Sequence, residues 1–526
     1  MADSQQKNIF GAVLSNLIRK KNPDEFLEQS KEGGLRKTLG AFDLLILGIS
    51  AIIGAGIFVM IGSAVIGTNE HVGAGPALVI SIALVGIACI FPALCYAEFA
   101  SMIPVSGSAY IYTFATMGEL PAWMMGWILM LEYAIGTIAV ASSWTGYLIQ
   151  FFKGLSFMPE SLQNPPLWLV NDYRTAVEAG ASIPHFLGIP VCMNLPAMFI
   201  ITVIAFVLYK GIQESANFAK IMVFVKLLVI GLFIAVGFYH IEPSNWQPFV
   251  PFGAKGVLMG AFVMFYAYIG FDAISTAAEE TKNPQKNLPI GLIGSLVICS
   301  VFYALVTIVL TGMVPMDKID LHAPIAHAMS YAGVGAKGLD IIQGIICIGA
   351  LAGLTSVLLV LQYGTTRILY AMARDGFLPP LMKKIHAKFN TPWVITILST
   401  VLMLIGSLFI NRDVAAELAI FGTFTSFIIV CIGILILRKT EPNRPRPFKV
   451  PCCPWFPILG IVFCSVFMIS AFTEVKTSAT LFPLWIILGL VIYFLYGYQS
   501  NRREVALKLK PVEEEQQILS AKANDV

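Results

Sequence analysis

Charge is what this chain has least of. Only 12% of its 526 residues are Asp, Glu, Lys or Arg, against 57% hydrophobic, and the mean hydropathy is +0.78. A water-soluble domain carries about twice that charged fraction, which excludes a soluble globular protein. The net charge of +3 says little by itself; membrane topology accounts for the basic runs, and no nucleic-acid partner is expected. No Walker A sequence, Gly-x-Ser-x-Gly elbow or His-Glu-x-x-His occurs. An ATP-driven pump is not expected on that ground, and no enzyme activity is expected. The six His are scattered at no ligand spacing, so no metal or cofactor is expected. Most of the nine Cys, among them Cys89, Cys299 and Cys431, fall inside apolar runs. There Cys acts as a small apolar residue, not as part of a disulfide framework. Met1–Lys37 is polar and mixed in charge, unlike a cleaved signal peptide.

What the sequence does have is apolar runs long enough to cross a bilayer, which takes roughly 20 residues as a helix. Twelve stretches qualify. In hydrocarbon each backbone polar group must be satisfied within its own segment, which predicts helices, and the ~10-residue alternation of a membrane barrel is missing. The predicted organisation is an N-terminal tail (1–39), a first five-helix unit (40–239), a second (240–438), helices 11 and 12 (439–500) and a C-terminal tail (501–526). Ile9–Ile18 could lie on the membrane surface as an amphipathic helix. Most of the 34 Lys and Arg, including the runs Arg19-Lys20-Lys21 and Lys383-Lys384, fall on one side of these spans. The positive-inside rule therefore predicts that both termini are cytoplasmic, in the inner membrane of a bacterium. The outer segment 152–189 is the longest loop and suggests no chemistry.

Spans 1 and 6 are unusual in the same way. The first carries Gly54-Ala55-Gly56 near its middle, and the sixth carries Tyr268-Ile269-Gly270-Phe271-Asp272. By helical rise both glycine clusters lie about 20 Å from one end of their span. The two spans run in opposite directions, so glycine-interrupted segments occupy corresponding places in two five-helix halves. That is the pattern of an inverted repeat with broken helices. The competing explanation, close helix packing on small residues, suits span 8 with Gly344, Gly349 and Gly353 better. A dinucleotide loop is rejected, because Val59 stands where a third glycine would be and the segment is membrane-embedded.

A broken helix frees backbone groups for a ligand. N–H groups opening a half-helix attract a carboxylate, and carbonyls closing the other half accept from an ammonium. Ile53, Gly54, Ala55, Gly56 and Ile57, facing Tyr268, Gly270, Phe271 and Asp272, would suit a zwitterion such as an α-amino acid. Three ionisable residues lie at mid-depth. Lys226 is roughly 16 Å into span 5, too deep to reach the interface, so it must face the bundle interior. Burial penalises a charged amine, so Lys226 could take up and release a proton; otherwise it ties helices together. Glu132 could read a cationic side chain, relay a proton or bond a neighbouring helix. Asp272 could cap the second half of span 6 or line the site. Asp43, Glu98, Glu279 and Glu280 lie near helix ends, where an interfacial position or a charged gate with Arg367 or Arg374 is expected.

Several motifs resemble the amino acid–polyamine–organocation superfamily, and within it the cationic amino acid transporter group, especially its bacterial members. They are Leu39-Gly40-Ala41-Phe42-Asp43 leading to Gly54-Ala55-Gly56-Ile57-Phe58, Tyr96-Ala97-Glu98-Phe99, the run from Pro104 to Tyr110, Glu132-Tyr133, Tyr268 to Ala273, Glu279 to Pro284, Ala373-Arg374-Asp375-Gly376, and Arg446 to Pro451. The resemblance implies a leucine-transporter-like fold of two inverted five-helix repeats plus two helices, and proton-coupled or exchange transport of amino acids. It places the substrate's α-groups on the breaks at 54–58 and 268–272 and makes Lys226 a stand-in for a coupling sodium ion. Bulky Leu361 in span 8 departs from what a long cationic substrate needs. The expected function is alternating-access symport of small neutral and cationic amino acids with protons. An obligate exchanger of cationic amino acids, a membrane amino-acid sensor, and an assembly requiring a small single-span partner subunit are the alternatives.

Overall fold

Each apolar run is helical in the computed structural model, which describes residues 17, 19–32, 37–68, 71–105, 107–155, 157–186, 189–321, 323–331 and 339–502. The segment Ile9–Ile18, read as a surface helix, lies almost wholly outside them. The apolar helices are α1 (Ala41–Ile66, interrupted), α2 (Gly75–Met102), α3 (Glu119–Lys153), α4 (Leu195–Lys210), α5 (Ile212–Phe238), α6 (Gly253–Glu280, interrupted), α7 (Pro284–Met313), α8 (Leu339–Arg374), α9 (Trp393–Phe409), α10 (Arg412–Thr440), α11 (Trp455–Glu474) and α12 (Lys476–Arg502). Ten are long and apolar enough to cross a membrane, which makes this a multi-pass membrane protein; α4 and α9, at 16 and 17 residues, are shorter. The sequence suggests that span 4 begins near residue 190. It begins later because Asn194 caps α4, its Oδ1 accepting from the Ala197 N–H and from Thr145 Oγ1. Residues 189–190 instead pair with 185–186 in a two-residue hairpin.

Burial sorts the helices into layers. The apolar stretches of α1 and α6 are 83% and 89% buried, against 28% and 22% for α11 and α12. The interrupted helices therefore form the centre and the last two the rim. The lipid-facing pattern is visible on α5, where Ile221, Phe224 and Leu228 are exposed while Val223, Lys226, Val229 and Phe233 are buried. The 3–4-residue spacing puts each set on one stripe. Gly349 of α8 is where α5 comes close, since an added β-carbon would overlap Val229.

The start of α1 lies beside the end of α6. The N–H groups of Thr38 and Leu39 donate to the Glu280 carbonyl, and the Lys282 N–H donates to Leu39 O. The two central helices are therefore antiparallel neighbours. Both ends of the described chain lie on this same face, with Arg19 Nη2 donating to Asn501 Oδ1.

The N-terminal segment is more than a solvated tail. Pro23–Glu32 is helical, and Phe26 is fully buried edge-on against Phe114. Lys21 pairs with Asp375 at 2.7 Å and Arg19 with Glu119 at 3.3 Å. These basic residues are used in tertiary pairing.

Candidate functional site

The first break is a three-residue gap, Ile53 to Ala55. α1 stops at Ile52, Ile53 turns to extended backbone (φ −74°, ψ 102°), and the helix resumes at Gly56–Met60 with one wide turn. The second is tighter. α6 passes through one 3-10 turn, Tyr266–Tyr268, then Gly270 adopts φ +107°, and Phe271–Glu280 continues as 3-10 helix. That φ lies in the region only glycine enters freely. The two breaks face each other. A β-carbon on Gly56 would collide with the backbone of Ala267, and one on Gly270 would lie 3.1 Å from Ala51 Cβ. Gly54 faces α8, its added β-carbon falling 2.5 Å from Val357.

The carbonyls released by the breaks are used. Tyr303 Oη of α7 lies 2.7 Å from both Ile52 O and Ala267 O, bridging the two breaks. Lys226 Nζ, fully buried, donates to Ser50 O (2.9 Å), Ile53 O (2.8 Å) and Ser356 Oγ (3.1 Å). Three donors meet three acceptors, the full complement of an ammonium. The amine thus ties α5 to the last turn of the first half of α1 and to α8. Among the described residues no carboxylate forms an ion pair with it. Its charge is held by carbonyl dipoles at the negative end of a half-helix. On the other side of the break, Tyr147 Oη of α3 donates to Phe58 O at 2.5 Å and its ring packs edge-on against Phe58.

Sequence reasoning names most of these positions but not how they point. Tyr268 contributes its backbone to the break, while its side chain turns away toward α2 and α7, within 3.4 Å of Ile82 O and edge-on to Tyr303. Phe271 packs against Tyr96 and Phe427. Asp272 is buried and accepts from Tyr133 Oη at 2.5 Å. Its carboxylate also lies near the N–H groups of Gly270, Asp272 and Ala273, at the start of the second half of α6. Glu132, one residue before Tyr133, is fully buried beside Gly422 of α10. Tyr303 and Tyr147 escape sequence reasoning, because a Tyr in an apolar run carries no signal of its orientation. Leu361 packs opposite Gly136, 3.5 Å from where a β-carbon would stand.

Beyond the site, toward the termini face, charged side chains cross-link the helix ends. Arg367 of α8 and Glu280 of α6 lie 3.4 Å apart, with Tyr363 Oη also on Glu280. Asp43 of α1 pairs with Lys220 of α5 at 2.7 Å. Arg374 takes no part in these pairs. Glu98 lies near the end of α2 but is not solvent-facing. It is fully buried, held by Arg438 at 2.5 Å, Arg446 at 3.3 Å and the Val450 N–H at 2.7 Å. The returning 438–450 segment covers it. On the opposite face, the 157–186 segment, α3 and the start of α10 enclose a polar cavity of about 550 Å³ that Asp172, Asp320 and Arg412 help to line.

Comparison with known proteins gives this geometry its context. A family model described as amino acid permease matches residues 39–494. The chain is 43% identical to the branched-chain amino acid permease BcaP of Bacillus subtilis over 493 residues, 93% of this chain and 99% of that one. It is 42% identical to the methylthioribose transporter of Bacillus subtilis over 489 residues, with the same shares covered. It is 34% identical to the chloroplastic cationic amino acid transporter 9 of Arabidopsis thaliana over 448 residues, 84% of this chain and 74% of the relative.

Proposed function

Since the chain belongs to the amino acid permease family, we propose that it is a proton-coupled symporter of amino acids working by alternating access. The substrate's carboxylate meets the N–H groups at residues 54–57, and its ammonium meets carbonyls around the α6 break. Small neutral amino acids fit best, because Val357 stands over Gly54 and Ala267 over Gly56, which leaves little space for a long side chain beside the exposed backbone of the breaks. In this reading all twelve apolar helices cross the membrane, residues 40–239 and 240–438 are inverted repeats, and both termini are cytoplasmic. The pairs Glu280–Arg367 and Asp43–Lys220 then close the cytoplasmic side, and the cavity beside Asp172 is the outer approach.

One observation carries the coupling: Lys226 joins α5, α8 and the first half of α1 through three hydrogen bonds that only an ammonium can donate together. A neutral amine keeps two N–H bonds and points a lone pair at the third oxygen. Loss of the proton therefore loosens the half of α1 that must swing away to open the cytoplasmic side, linking proton release to substrate release.

The relatives' names leave the substrate to be decided by binding. A thermal-shift screen of purified protein against the twenty amino acids and methylthioribose tests the reading, since a ligand of the folded state raises its melting temperature. Stabilisation by small neutral amino acids is expected. Stabilisation by methylthioribose alone would replace the zwitterion with a sugar.

A further inference from the structure

Next to the breaks lies a knot of buried carboxylate and phenol oxygens that make no hydrogen bond. Both Glu132 carboxylate oxygens and Asp272 Oδ1 have no hydrogen-bond partner, and neither do Tyr96 Oη and Tyr112 Oη, which border the same space. All four residues are at most 1% exposed. α10 presents Thr423 and Ser426 toward Glu132, but both hydroxyls donate to carbonyls of their own helix. α2 presents Tyr96, the helix Ala109–Thr116 presents Tyr112, α3 adds Tyr133, and Cys431 of α10 stands behind Tyr96. Among the described residues neither carboxylate has an ion-pair partner, and Lys226 is committed to α1 and α8.

The two acids are not equivalent. Asp272 has support for its negative charge: a short bond from Tyr133 Oη and the positive end of the second half of α6. Glu132 has only the Thr423 and Ser426 hydroxyls near it, both already bonded to carbonyls of their own helix, and Asp272 is a like charge beside it. An unpaired carboxylate in a dry interior is heavily penalised, so two anions here are untenable.

We propose that Glu132 and Asp272 form a subsite that always holds one positive charge: a proton on Glu132 when the substrate side chain is neutral, and the side chain's own cation when the substrate is lysine- or arginine-like. The inference rests on the amino-acid transport reading above and specifies its chemistry. On binding a cationic side chain, Glu132 releases its proton to the solution from which the substrate came. The ammonium or guanidinium then sits between two carboxylates. Substrate plus subsite carry the same net charge in either case. A neutral substrate is therefore accompanied by one proton more than a cationic one, while the charge moved per substrate is equal.

Two measurements test this. The first is infrared spectroscopy of purified protein at neutral pH. A C=O stretch of a protonated carboxylic acid should be present in wild type, lost in Glu132→Gln, kept in Asp272→Asn, and bleached when lysine is added but not alanine. The second counts protons entering proteoliposomes with radiolabelled alanine and lysine, where wild type should show a difference of one per molecule. In Glu132→Gln lysine uptake should fall by at least about tenfold relative to alanine. The proposal is overturned if no acid band distinguishes wild type from Glu132→Gln, if lysine leaves the band unchanged, or if alanine and lysine bring in equal numbers of protons. If no amino acid binds or enters at all, the transport reading fails instead. The infrared band still decides the state of Glu132 in that case.

Discussion

Tyr303 Oη lies 2.7 Å from the Ile52 carbonyl and 2.7 Å from the Ala267 carbonyl, so one phenol spans the breaks of both interrupted helices. A single proton can be donated to only one of them at a time, and the second contact needs a small reorientation. Tyr303→Phe removes the bridge while keeping the ring's packing. It leaves two buried carbonyls to one donor fewer, costing about 1–3 kcal/mol. The expected result is a lower melting temperature together with weaker amino acid binding. Unchanged binding with only a stability loss would make Tyr303 a structural clamp.

Gly56→Ala places a β-carbon against the Ala267 backbone, which cannot move as a side chain could. The two breaks must separate, and the predicted outcome is folded protein that no longer binds substrate. Gly353→Ala meets only Phe58 at 3.0 Å and the aliphatic part of Lys226 at 3.5 Å, so it should bind more weakly but measurably. Equal affinity of Gly56→Ala and wild type would dissociate the breaks from the ligand.

Glu98 offers a stability test remote from the site. Glu98→Gln leaves Arg438 and Arg446 facing a neutral amide in a buried place. Breaking a buried pair costs on the order of 3 kcal/mol, so the melting temperature should drop while affinity for the substrate, once folded, holds. A mutant as stable as wild type would mean that the arginines find other acceptors.

The orientation of the chain can be read with single-cysteine reporters on a cysteine-free background. Glu160→Cys and Asp320→Cys should react with a membrane-impermeant maleimide on intact cells, and Arg444→Cys should react only after the membrane is opened. Labelling of position 444 on intact cells would invert the topology.

The parts of this architecture legible in the sequence are those that only one residue type can supply. Gly270 at φ +107° and Gly56 against Ala267 have no substitute, and Lys226 stands out because an amine at mid-span needs a reason. What stayed hidden depends on distant pairing. Glu98 and Arg438 are 340 residues apart, and nothing local shows that the 438–450 segment folds back over Glu98. The packing of Phe26 and Lys21 is hidden for the same reason, since their partners Phe114 and Asp375 lie on other elements. Depth is readable at Glu132, but that no cation among the described residues pairs with it takes the positions of α2, α6 and α10 together.

In the proposed transport cycle Lys226 couples proton release to opening. Proteoliposomes containing wild-type protein should accumulate alanine when the outside is acidified in sodium-free buffer. Lys226→Ala, reconstituted at the same density and shown to bind alanine, should accumulate none. Gradient-driven accumulation by Lys226→Ala equal to wild type would contradict the account and reduce Lys226 to a tie between helices.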